Sequence, residues 1–255
     1  MKNIVISLTS AVDRRQHINS EFDKHHVNFE FFDALTPDIA RTYAQTLPID
    51  LESCTLTSGE LACFMSHVSV WQMMIKNNTP YLGIFEDDIY LGEDAEYLLN
   101  TSGWMIPDWN IIKTEAFSEK VFISSDISKI AEHKRHIAQL QGKNLGTAGY
   151  ILSLQGARTY LDYISKNKLL PLDEMMFDDF IKQGAEPVYQ MVPALCIQEM
   201  MLNKNNPALP SALVKDRKNR MKSEKKTALF KAKREINRLG LKLKKSMFAK
   251  EIAFK

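Results

Sequence analysis

Cysteine is scarce in this chain of 255 residues: Cys54, Cys63 and Cys196 are the three, with neither a CxxC pair nor a Cys/His spacing suited to zinc. A disulfide framework and a structural zinc module are excluded as the basis of the fold, and a reducing cytoplasm fits best. Long apolar runs are missing too. None approaches the roughly 18 residues that a membrane-spanning helix needs. The opening MKNIVISLTSAVDRR has one Lys and a short apolar run ending in charge. It lacks the extended apolar region and cleavage site of a secretory signal, so it reads as a first strand. Neither GxxxxGK(S/T) nor GxGxxG occurs, which disfavours a P-loop NTPase and a Rossmann dehydrogenase.

What is present is ordinary in bulk and uneven in distribution. Apolar residues make up 45% and charged residues 25%, enough for one large α/β domain with a real core. The net charge of +2 hides an asymmetry: residues 204–255 hold 17 Lys and Arg against 4 Asp and Glu, net +13, and residues 1–203 hold 16 against 27, net −11. The chain therefore divides into an acidic domain, 1–203, and a basic tail, 204–255, with Asn and Pro between 203 and 210 as a linker. Leu229, Phe230, Ile236, Leu239, Leu241, Leu243, Met247 and Phe248 punctuate the tail's basic residues. That is the pattern of an amphipathic helix lying on an anionic membrane. An acidic body argues against nucleic acid as the partner. A solubilising tail or an oligomer contact is the plainer alternative.

Strand-like and helix-like segments alternate as in an α/β sheet. Residues 2–8 and 28–34 read as strands and 13–25 as a helix. Thr57-Ser58-Gly59-Glu60 has the form of a capping box, and Leu61, Phe64, Met65, Val68, Trp71 and Ile75 follow at helical spacing, so a helix is predicted over 58–76. Tyr81 to Phe85 reads as a buried strand. Residues 109–114 and 120–124 read as further strands, and 125–145 as a polar, mobile region. Gly146 to Leu152 reads as a glycine-led strand, followed by a helix from Ser153; a helix starts at Asp173-Glu174; one or two strands lie within 188–197.

Glu86-Asp87-Asp88 follow the 81–85 strand directly. Three carboxylates crowded where burial already disfavours ionisation call for a cation. Ligands of open α/β sheets sit outside the carboxyl ends of strands, and carboxylates are the ligands Mg²⁺ or Mn²⁺ prefers, so a hard cation bridging to a phosphate substrate is the natural reading. Capping of a following turn by Asp87 and Asp88 is the alternative. A metal-dependent phosphohydrolase and a non-catalytic sugar- or lipid-binding protein remain rival functions.

Taken together, Leu8…Arg14-Arg15, Phe31-Phe32-Asp33-Ala34, the run Leu56 to His67 (LTSGELACFMSH), Ile84-Phe85-Glu86-Asp87-Asp88, Gly146 to Ser153 and Pro171-Leu172-Asp173 resemble glycosyltransferase family 25 over roughly residues 1–200. This is the family of bacterial lipooligosaccharide galactosyltransferases, with collagen-modifying relatives. The resemblance implies a single GT-A-like, Rossmann-like α/β domain with a mostly parallel central sheet. It also implies a nucleotide-sugar donor, a divalent metal at Glu86-Asp87-Asp88, and inversion at the anomeric carbon. The function expected is transfer of a hexose, galactose from UDP-galactose in a β-1,4 linkage, to a lipooligosaccharide core sugar at the inner face of the cytoplasmic membrane.

On that reading Asp88 holds the metal with Glu86 or Asp87, and because the last histidine is His136, Gln198, Glu199 or water supplies any late ligand. Asp173, then Glu174, is the candidate base that deprotonates the acceptor, at a helix start after proline; Asp173 as a simple N-cap is the alternative. Donor contacts are expected from Ser7, Leu8, Arg14, Glu60, Ser66, His67, Glu86, Asp87, Gly146, Thr147 and Tyr150. For Arg14 a solvated face, for His67 helix packing and for Glu60 the capping box alone are the alternatives.

Overall fold

The computed structural model describes residues 1–130, 134–184, 186–203 and 248–255. The expected basic helical tail falls outside the described residues over 204–247. Strand β1 (Lys2–Ser7) leads through α1 (Val12–Lys24) to β2 (Glu30–Asp33), α2 (Pro37–Ala44) and α3 (Ser58–Lys76). Helix α3 fills the range its spacing predicts. Its capping box is intact: Glu60 N–H donates to Thr57 Oγ1 at 3.2 Å and Thr57 N–H to Glu60 Oε2 at 2.9 Å. Strand β3 (Tyr81–Glu86) ends on the first carboxylate of the triplet, and the chain turns at Asp87-Asp88 into β4 (Ile89–Leu91) and then α4 (Ala95–Asn100).

Next come β5 (Ile111–Lys113), β6 (Glu115–Ala116), β7 (Lys120–Val121), β8 (Ile123–Lys129), β9 (His136–Leu140) and β10 (Gly149–Ser153). Helix α5 (Leu154–Lys166) starts where Ser153 Oγ accepts from Gly156 N–H at 3.0 Å. Short α6 (Leu172–Glu174) runs into a π-helical turn, Met175–Asp179, and α7 (Phe180–Gln183). Strands β11 (Tyr189–Val192) and β12 (Cys196–Gln198), helix α8 (Glu199–Leu202) and strand β13 (Lys250–Glu251) complete the described chain.

Eight strands form the main sheet in the order β2-β1-β3-β10-β5-β11-β9-β8. It is mixed, which corrects the mostly parallel sheet expected. β1 runs parallel to β2 and β3, and β11 to β5, but β10 is antiparallel to both of its neighbours, as β9 is to β11 and β8. Parallel pairing needs a crossover connection, and among the described residues no helix intervenes between β8, β9 and β10. The polar region expected at 125–145 is likewise replaced by β8 and β9 at the sheet edge. Those strands bury Ile123, Ile137, Ala138 and Leu140 and expose a polar row, so their composition imitates a loop.

Alternation along the strands sends side chains to two cores. Ile4, Ile6, Leu82, Ile84, Tyr150 and Leu152 face α3 and α5, while Val5, Phe85 and Ile151 face Ile18 and Phe22 of α1 and Leu98 and Leu99 of α4. The result is a sheet covered on both faces.

Residues 248–255 are part of this body. β13 pairs antiparallel with β7, Ile252 is buried, Ala194 N–H donates to Ala253 O at 2.8 Å, and Ile252 N–H to Glu119 O at 3.1 Å. The buried Arg135 guanidinium donates to the carbonyls of Pro193 (2.7 Å), Ala194 (3.1 Å), Glu93 (2.7 Å) and Lys255. The separate tail expected from 204 onward therefore does not extend over these last residues.

Candidate active site

The site grows from the carboxyl ends of β1 and β3. These strands are neighbours in register, Ile6 opposite Glu86, and β1 connects outward to β2 on its other side. The crevice between β1 and β3 is the place where an open α/β sheet leaves room for a ligand. Ser7 closes β1, Glu86 closes β3, and Arg14 reaches back from the first turns of α1. Ser7 Oγ donates to Asp87 Oδ2 at 2.7 Å, and Arg14 pairs with Asp87 Oδ1 and, at 3.3 Å, with Asp88 Oδ2. Thr147, just before β10, donates Oγ1–H to Glu86 Oε1 at 2.7 Å. From the late chain, Gln198 pairs with Ile89 and Glu199 N–H donates to Asp88 O at 2.7 Å.

Charge is unbalanced here. Burial first, then Glu86, Asp87 and Glu115, push the Asp88 carboxyl up to about 7 against the pull of Arg14. Burial also pushes Glu86 upward, but His67, Thr147 and Arg14 outweigh it and hold Glu86 below the usual carboxylate range. Asp88 Oδ1 is buried and accepts no hydrogen bond. An orphaned, crowded carboxylate oxygen fits a hard divalent cation; Glu86 precedes Asp88 by two residues, and the pairing of β12 with β4 carries Gln198 alongside Ile89, the residue after Asp88. A second cluster adjoins it: ligand atoms of Cys63, His67 and Glu86 lie within 4.8 Å of one another.

Beneath the triplet lies an ion pair with no counterpart in the sequence reading. Lys113 and Glu115, both fully buried, meet at 2.8 Å. Lys113 Nζ also donates to Gly146 O and sits 4.4 Å over the Phe177 ring, and Ala148 N–H donates to Glu115 Oε2 at 3.1 Å. Gly146 has φ +89°, and a Cβ there would lie 2.6 Å from either Glu115 carboxylate oxygen. Its glycine is thus required by the buried pair, which fixes the 146–148 turn and so aims Thr147 at Glu86. The signal available in the sequence was a lysine directly after the apolar pair Ile111-Ile112 of a strand.

Other expected contacts separate into surface and core. Leu8 is 40% exposed beside the crevice, and its carbonyl accepts from Arg15 Nε at 3.1 Å. Ser66, fully buried, accepts from Leu35 N–H at 2.9 Å and donates to Ala62 O at 2.7 Å, tying α3 to the loop after β2. As a donor contact it is corrected, since it offers no surface. Tyr150 is corrected on the same ground, and His67, equally buried, touches the site only through Glu86. Glu60 is buried in its capping box. Asp173 is buried, accepts from Glu174 N–H at 3.0 Å, and lies on α6, which packs against α3; Pro171, not Asp173, occupies the N-cap.

The profile of glycosyltransferase family 25 (LPS biosynthesis protein) matches residues 1–176. The lacto-N-neotetraose biosynthesis glycosyltransferase LgtE of Neisseria gonorrhoeae is 35% identical over 262 residues, 97% of this chain and 93% of that protein. LgtB of Neisseria meningitidis serogroup B is 38% identical over 231 residues (85% and 83%), and the lipooligosaccharide biosynthesis protein lic2B of Haemophilus influenzae 35% over 238 (89% and 87%). A solved glycosyltransferase involved in glycosylation of the PBCV-1 major capsid aligns over 77% of this chain and 91% of its own at TM-score 0.42 and 9% identity, too distant to bear on the site. By the family profile over residues 1–176 and by relatives 35–38% identical along most of both chains, the chain belongs to glycosyltransferase family 25.

Proposed function

We propose that this glycosyltransferase is an inverting, divalent-metal-dependent enzyme that moves galactose from UDP-galactose, forming a β-1,4 linkage, to a core sugar of lipooligosaccharide. The observation that carries the metal is the orphaned Oδ1 of Asp88 among the carboxylates at the end of β3. The acceptor class is supported by relatives named for lipooligosaccharide and lacto-N-neotetraose biosynthesis.

A bound Mn²⁺ or Mg²⁺ would neutralise charge developing on the departing diphosphate. Asp88 and Gln198 would hold it, Glu86 faces the donor, and Asp87 is kept in place by Ser7 and Arg14. Thr147 and Leu8 border the donor crevice. Asp173 accepts the proton of the acceptor hydroxyl as that oxygen attacks the anomeric carbon from the face opposite the leaving group, with Glu174 as the adjacent candidate. Incubation with Mn²⁺ and a panel of UDP-sugars, with UDP release read with and without acceptor, tests the whole reading. Acceptor-dependent release from UDP-galactose is expected. Metal-dependent hydrolysis of phosphate esters without sugar transfer would instead make it a phosphohydrolase, and binding without turnover a sugar-binding protein.

Asp173→Asn should lower kcat by roughly 10²–10⁴-fold, the range of a lost general base, with affinity for UDP-galactose close to wild type. Lost donor affinity with intact kcat would assign Asp173 to binding.

We place the enzyme on the cytoplasmic face of the membrane, held by the basic residues of 204–247. No helix among the described residues is long and apolar enough to cross a bilayer. Because 248–255 are built into the fold, charge substitution is a cleaner test than truncation. Lys225, Lys226, Lys231 and Lys233→Gln together should weaken pelleting with anionic vesicles, each lysine being worth about 1 kcal/mol near the surface, and leave transfer to a small soluble acceptor unchanged. Pelleting that ignores both these substitutions and high salt would remove the membrane from the proposal.

A further inference from the structure

A buried chain of side chains ends on Glu86. Trp71 Nε1–H donates to the Tyr150 hydroxyl oxygen at 3.0 Å, and that hydroxyl lies 2.7 Å from His67 Nδ1. Across the imidazole, Nε2 is 3.6 Å from Glu86 Oε1, and within hydrogen-bond distance it has no partner. Trp71, Tyr150 and His67 are all fully buried, the His67 and Tyr150 rings are stacked at 5.7 Å, and Trp71 is stacked on Tyr160 at 5.3 Å. None can touch a ligand directly.

Counting protons fixes the direction of this chain. An indole N–H only donates, so the Tyr150 oxygen accepts from Trp71. The acceptor that the structure records for the tyrosine's own hydrogen is His67 Nδ1, which places the imidazole proton on Nε2, aimed at Glu86. The alternative, a soft cation held by Cys63, His67 and Glu86, requires a bare Nε2 and a proton on Nδ1. That tautomer would strand the buried Tyr150 hydroxyl hydrogen without an acceptor, so the hydrogen-bonding pattern favours the chain over the ion.

We infer that Tyr150 and His67 are positioning residues that act on the donor through Glu86. His67 Nε2–H and Thr147 Oγ1–H both address Oε1, leaving Oε2 as the oxygen available to a hydroxyl of the nucleotide sugar. The inference rests on the donor reading proposed above. It goes further in assigning the substrate-facing geometry of one carboxylate to groups on α3 and β10 that never meet the substrate. It also gives the burial of His67 and Tyr150 a purpose beyond packing.

Two measurements on the full-length protein test it. The first is a binding cycle with UDP-galactose and with UDP alone, on wild type, Tyr150→Phe, Glu86→Gln and the double variant. Tyr150→Phe should weaken UDP-galactose about tenfold, as expected for one lost hydrogen bond that orients a charged acceptor, and in the Glu86→Gln background it should do nothing further. Additive losses would make Tyr150 a packing residue only and overturn the inference. The second needs no substrate. Nitrogen-15 spectra of histidine-labelled protein should show the resonance missing from His67→Asn as a neutral imidazole protonated at Nε2, indifferent to Zn²⁺ and altered in Tyr150→Phe. A proton at Nδ1, or a Zn²⁺-dependent shift lost in Cys63→Ser, would overturn the inference in favour of the metal. If wild type fails to bind UDP-galactose, the donor reading falls and the spectra alone decide the chain.

Discussion

Asp88→Asn should give a protein that is more stable without metal and nearly inactive. The Asp88 carboxyl titrates near 7 in the folded state, above its value of 3.8 in a free chain. Between those values the folded protein holds a proton that the unfolded chain has released, so this group's contribution makes stability fall as pH rises from about 4 to about 7. Above pH 7 the full penalty is present, on the order of 4 kcal/mol for a shift of this size. Asn mimics the protonated acid. The variant's Tm in EDTA should therefore exceed wild type most at pH 8, by less at pH 5, and match it only below about pH 4. Divalent cation should raise the wild-type Tm at pH 8 and leave the variant unmoved. Transfer should fall at least about 10³-fold, since an electrostatic contribution specific to the transition state is lost. Near-normal transfer at saturating Mn²⁺ would remove Asp88 from the metal, and an equal Tm gain at both pH values would refute the electrostatic cause.

Lys113→Met should produce the largest loss of stability. It deletes the cation from a pair that is wholly out of water and leaves Glu115 facing Phe177 and the 146–148 turn uncompensated. Removing one partner of such a pair is worth about 3–5 kcal/mol, and Glu115, already pushed upward by burial, would take up a proton. Lys113→Met combined with Glu115→Gln should recover most of that loss, because the amide still accepts from Ala148 N–H and carries no charge. Denaturant unfolding at pH 7.5 reads both variants. If the single variant unfolds like wild type, the pair has no structural weight. If the double is worse than the single, the attraction between the two charges exceeds their desolvation.

How much of this could be read beforehand follows from sequence distance. Thr57 and Glu60 are three residues apart, so the capping box and the start of α3 were legible; so was the placement of Glu86-Asp87-Asp88, since a strand and the turn after it are contiguous. The two cores follow from strict alternation in β1, β3 and β10. What binds the site together is not local. Tyr150 meets His67 across 83 positions and Lys113 meets Gly146 across 33. A mid-helix histidine or a lone strand lysine carries no mark of its partner. Ser66 and Tyr150 read as donor contacts because they sit in motif segments, whereas their burial was decided by packing of α3 on the sheet. Strands β8 and β9 escaped notice because an edge strand with one wet face has the composition of a loop, and β13 because two charged residues show no period at all.

Strand β13 also bears on how the protein comes into being. β7 is made early, yet its partner, together with the Ala253 and Lys255 carbonyls that meet Ala194 and Arg135, is made more than a hundred residues later. The parallel core of β1, β2 and β3 can assemble while translation continues, but Arg135 keeps an incomplete set of carbonyl acceptors until residues 248–255 have left the ribosome. A nascent chain should therefore acquire its acidic crevice first and its full resistance to proteolysis last. Premature termination anywhere after residue 203 would then yield a product with the site's residues intact but its β7 edge open.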